Sequence, residues 1–72
     1  MRVAVVLRAL TDEALSALKE AYPDWREVWH GERMLEVHTE SAGREAALQL
    51  LRQHDEATGG DVVVVGAYEE LA

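Results

Sequence analysis

Cysteine, asparagine, isoleucine and phenylalanine are all missing from this 72-residue chain, and proline and lysine occur once each, at Pro23 and Lys19. Without cysteine there is no disulfide, no thiolate metal centre and no cysteine nucleophile. No apolar run reaches the 18 residues that mark a membrane-spanning helix, and the stretch from Arg2 to Leu7 is too short for a signal-peptide core. The chain therefore reads as cytoplasmic, with no membrane partner. Positive charge is scarce as well: 7 Lys and Arg stand against 14 Asp and Glu, a formal charge of −7. Nucleic acids and anionic membranes are bound by clustered Lys and Arg. Here the arginines are dispersed, which argues against both. The preference for Arg over Lys, and for Ala, Leu and Val, suggests a GC-rich prokaryotic genome. Lack of Asn and Cys is compatible with a thermophile.

What remains is enough for one domain, residues 1–72, near the lower size limit for a self-sufficient core. A chain this short hides only about 60% of its unfolded surface, so a partner subunit would help it. Arg2 to Arg8 alternates as a strand, with Val3, Val5 and Leu7 on one face and Ala4, Val6 and Arg8 on the other. Thr11 is positioned to cap a helix whose apolar stripe is Leu10, Ala14, Leu15, Leu18 and Tyr22, and Pro23 stops it. Ser41 is the expected cap of a second helix, with the stripe Gly43, Ala46, Ala47, Leu50, Leu51 and His54, ending at Gly59-Gly60. Val62 to Val65 is a β-branched run that reads as the last strand, which Tyr68 to Ala72 extend or leave to fray.

Between the helices lies Trp25 to His38, which reads as a hairpin with Gly31-Glu32 as a two-residue type II′ turn. That turn would pair Trp25 with His38, Arg26 with Val37, Glu27 with Glu36 and Val28 with Leu35. The order β-α-β-β-α-β, with right-handed crossovers, predicts a four-stranded antiparallel sheet of spatial order 4-1-3-2 with both helices on one face. This is the ferredoxin-like sandwich, of class α+β.

On that register the helix-free face would show Val6, Trp25, Trp29, Met34 and His38. These are the expected contact residues, because an exposed patch of that size usually marks an interface or ligand site. The valine-rich last strand would form a sheet edge suited to strand pairing, flanked by Asp61, Glu69 and Glu70 as charged gatekeepers. Glu36 and His38 share the bare face, with Glu27 opposite. A carboxylate beside an imidazole can orient it as a general base, which makes His38, Glu36 and Glu27 the candidate catalytic groups. Two carboxylates and one His also suit a divalent metal. The reading adopted is that these groups are solvated or neutralised by an arginine, with no metal and no cofactor bound.

In its fold pattern the chain resembles the ACT domains and the effector domains of the Lrp/AsnC regulators. The latter likeness is carried by the glycine turn before an apolar strand, His30-Gly31-Glu32-Arg33-Met34-Leu35. The acidic residue usual shortly after that glycine is replaced here by Met34 or Leu35. The loop Arg8-Ala9-Leu10-Thr11 lacks the glycine expected of an ACT module. The leading expectation is a homo-oligomeric binding or interaction module without catalysis of its own, holding a small ligand at a sheet-face interface. The alternative is a small enzyme of the dimeric α+β barrel type, using the His/Glu pair on the open face.

Overall fold

Thr11 caps the first helix as its side chain demands, accepting from the Ala14 amide at 3.1 Å, with Asp12 and Glu13 in the turn where the helix dipole favours anions. In the computed structural model, which describes residues 1–28 and 32–70, that helix is α1, Asp12–Ala21. It is preceded by strand β1 (Arg2–Ala9) and followed by β2 (Trp25–Glu27), β3 (Met34–Glu40), helix α2 (Arg44–Thr58) and β4 (Val62–Glu69). No described helix is long and apolar enough to cross a membrane.

The four strands form one antiparallel sheet in the order β2-β3-β1-β4, which counted from the β4 edge is 4-1-3-2. The molecule is thus α+β, an open sheet with two helices. Alternation in β1 decides which side the helices take. Val3, Val5, Leu7 and Ala9 meet Leu35 and Val37 of β3, Ala14 and Leu18 of α1, and Ala47 and Leu51 of α2 in a single buried core. Leu10 and Leu50, both expected on buried stripes, stand 51% and 44% exposed. Leu10 precedes the cap of α1 and so lies outside the helix, while Leu50 lies within α2 but off the buried Ala47 and Leu51 positions.

Two local expectations need correcting, and the second changes which side Trp25 and Glu27 face. Helix α2 is capped by the backbone of Gly43 at φ 153° with no side-chain hydrogen bond, rather than by Ser41. The Ser41 hydroxyl instead donates to the Gly43 carbonyl at 2.8 Å, closing the turn before the helix. The β2–β3 register is one residue away from that of a two-residue turn: Trp25 pairs with Val37, Arg26 with Glu36 and Glu27 with Leu35. A one-residue change moves every side chain of a strand to the opposite face. Trp25 and Glu27 therefore lie on the helix side, and Arg26 on the bare side. Arg33, at φ 58°, adopts the left-handed conformation just before β3. The gain is burial: Trp25 packs against the core, with the Lys19 ammonium 4.3 Å from its ring centre. Trp29, His30 and Gly31 lie outside the described residues, and with them the expected turn type.

Candidate functional site

The helix-free side of the sheet is built from the residues of β1 and β3 that the core does not use. Register sets Arg8 beside Met34, Val6 beside Glu36, Ala4 beside His38 and Arg2 beside Glu40. On the other flank of β1, the pairing with β4 is interrupted: Val6 faces Gly66 while Leu7 faces Val64, so Val65 is an extra residue in the ladder. Such a bulge changes the alternation of the strand beyond it. Val62 and Val64 lie on the helix side before it, and Ala67 and Glu69 lie there after it. The same device sends Tyr68 to the bare side, directly beside Ala4. Glu70, whose amide donates to the Arg2 carbonyl at 2.9 Å, follows it there.

These placements assemble a polar cluster. His38 is the one buried polar residue among those described, with its side chain 2% exposed. Its Nε2 lies 3.0 Å from Glu36 Oε1 and its Nδ1 lies 2.8 Å from Glu70 Oε1. Neither contact runs along a ring N–H direction, so among the described residues both nitrogens are buried without a directed hydrogen bond. We therefore treat these as short electrostatic contacts rather than formed hydrogen bonds, since angle decides hydrogen-bond strength as much as distance. The Tyr68 hydroxyl crosses β1 to donate to Glu36 Oε1 at 2.8 Å. That bond, with burial and the charges of Glu36 and Glu70 behind it, raises the Tyr68 pKa. Arg2 ties the cluster to the rest of the molecule through Glu70 Oε2 at 3.0 Å and through Asp24. Ala4 is the floor: it is fully buried although no helix covers it, because His38 and Tyr68 flank it from the neighbouring strands.

Of the residues singled out from the sequence, Glu36 and His38 come together, while Glu27 is carried to the opposite face and takes no part. The expected opposition of Glu27 and Glu36 is replaced by Arg26 opposite Glu36, a favourable cross-strand charge pairing. Val6 and Met34 are on the bare face as expected, and Met34 receives Arg8 Nη2 at 3.6 Å from its sulfur. Trp25 is not on that face, and Trp29 lies outside the described residues. Glu70 and Tyr68 were missed as site residues. Their signal is Gly66 after the valine run, since a glycine inside a strand marks a bulge.

Two surface depressions flank the fold. One is lined by Gly43, Arg44, Glu45, Ala67, Tyr68 and Glu69, the other by Leu15, Lys19, Trp25, Glu27, Arg33 and Met34. Neither includes His38. Compared with protein-family models, curated proteins and solved structures, the chain gives no match.

Proposed function

We propose that this protein is a ferredoxin-like interaction module that self-associates through the edge of β4 and has no catalysis of its own. The observation that carries this reading is the exposure along β4. Val63 is 47% exposed, Val64 37%, Val65 56% and Tyr68 47%, on an eight-residue strand with one side unpaired. Long apolar edges template strand pairing, and monomers normally blunt them. The opposite edge fits that pattern: β2 has three residues, and Arg26 and Glu27 of it are exposed.

A second copy fits β4 without charge conflict inside the strand. Antiparallel pairing about a twofold axis between Val65 and Gly66 sets Tyr68 against Val63 and Glu69 against Val62. Aromatic and β-branched residues are favourable cross-strand partners, and a twofold contact is the commonest way identical chains close. Asp61 would face Glu70, which Arg2 also contacts. A small ligand at such an interface remains part of the proposal. The sheet-face alternative is weakened by the placement of Trp25 on the helix side.

Native mass spectrometry and light scattering test this reading at tens of micromolar protein. The expected result is a dimer for the natural chain and a monomer for Val65→Lys and Val63→Lys, with unchanged circular dichroism. A strictly monomeric natural chain over that range would overturn it.

The second reading, a small enzyme with His38 as base and Glu36 orienting it, is supported by their 3.0 Å contact. It requires a facing sheet to enclose the ring, since neither depression holds it.

A further inference from the structure

We propose that Glu36, His38 and Glu70 form a binding site for a borderline divalent cation of the Zn²⁺ class on the helix-free side of the sheet. One oxygen from each carboxylate and one imidazole nitrogen can be chosen so that all three lie within 4.8 Å of one another. Ligands at zinc bond lengths of about 2.0–2.2 Å stand about 3.4 Å apart in a tetrahedron. The two glutamates therefore need to close by roughly an ångström, a small rotation for side chains with partly exposed ends. Their side chains are 18% and 27% exposed, so solvent can reach the remaining ligand position.

Acidic clusters are common without metals; the imidazole is what sets this one apart. It is buried, and both its nitrogens face carboxylate oxygens at 2.8–3.0 Å without a directed hydrogen bond among the described residues. A neutral imidazole carries one N–H and one lone pair. Whichever nitrogen holds the proton, the other is left with a buried lone pair that has no partner among the described residues. A metal ion held by that lone pair and by the two carboxylates would satisfy all three groups. Two carboxylates and one nitrogen are a donor set for borderline first-row ions, whereas Mg²⁺ and Ca²⁺ favour oxygen alone. Tyr68 supplies the outer contact such sites use, holding Glu36 by its hydroxyl. Local charge also leaves room for a cation. Arg2 is shared between Glu70 and Asp24, and His38 is the only salt-bridge partner of Glu36 among the described residues.

Isothermal titration with Zn²⁺, and visible absorption with Co²⁺ as a spectroscopic substitute, test the site on the full chain. Saturable binding of one ion per chain is expected, with no comparable binding of Mg²⁺ and a raised melting temperature. His38→Gln abolishes the Co²⁺ spectrum. Glu70→Gln, at the less buried end of the cluster, lowers affinity at least tenfold and covers the case in which the His38 variant does not fold. Tyr68→Phe weakens binding about tenfold, as loss of an outer-shell contact does. No saturable binding up to millimolar Zn²⁺ would overturn the proposal. So would binding that both His38→Gln and Glu70→Gln leave intact, or equal affinity for Mg²⁺. The site does not depend on pairing through β4, so the monomeric Val65→Lys variant binds the ion equally well.

Discussion

The phenol of Tyr68 reports on the whole bare-face cluster, because its hydrogen bond to Glu36 is made only in the protonated form. The bond and the neighbouring carboxylates raise its pKa above the ordinary tyrosine value of about 10. The sign of the linkage follows. A group whose pKa is higher in the folded state adds stability below its unfolded value and loses it as pH rises through the folded one. Ultraviolet titration near 295 nm should therefore show a tyrosine ionising above pH 10, moving back towards that value in Glu36→Gln. Tyr22 is also raised, by burial, with its ring edge-on to His54 at 5.6 Å between centroids. It does not touch Glu36, so the substitution leaves its titration in place and separates the two. A single high titration unaffected by Glu36→Gln would contradict the geometry of the cluster.

Among the elements, helix α2 shows how a termination signal works. Gly59 closes it at φ 108°, with its amide donating to the Asp55 carbonyl, and Gly60 donates to the same carbonyl at 2.8 Å. A Cβ at Gly59 would meet only Asp61 Oδ2 at 4.0 Å, so space is not the constraint. Backbone conformation is. Gly59→Ala should cost about 1–2 kcal/mol in chemical denaturation, the penalty of a left-handed L-residue. The same element shows what could be read in advance. Glycine stops, the Thr11 cap, the Pro23 break and the alternation of β1 all act within a few residues, and the sequence displays each of them. The β2–β3 register and the bulge in β4 are settled by packing between strands, so local pattern leaves them open. Trp25 illustrates the difference: its strand is evident, but which side it faces depends on how much core it finds beneath helix α1. Glu36 and His38 could be named because they lie two apart on one strand. Glu70 and Tyr68 come from the far end of the chain, and only the completed sheet brings them near.

For the molecule as a whole, one small core carries most of the stability. Val3, Val5, Leu7, Leu18, Leu35, Val37 and Leu51 are at most 1% exposed, and they join both helices to the two central strands. A chain of this length holds roughly 4–11 kcal/mol against unfolding. Leu18→Ala leaves a cavity where α1 meets the sheet and should cost about 2–5 kcal/mol, a large share of the total. The denaturation midpoint should fall sharply with little change in the slope. A loss well below 1 kcal/mol would mean that α1 is not seated on the sheet as described.

The extra residue in the last strand also acts as a change of reading frame for side-chain direction. Glu69 and Glu70 are neighbours of identical chemistry, yet they serve opposite sides of the molecule. The first lies at the start of helix α2, its Oε2 3.4 Å from where a Cβ on Gly43 would stand; the second reaches the buried imidazole. Were Val65 to pair with β1 instead of bulging, every residue after it would move along the ladder by one and the two glutamates would exchange destinations. One unpaired residue in the ladder, and not residue type, decides which carboxylate His38 meets.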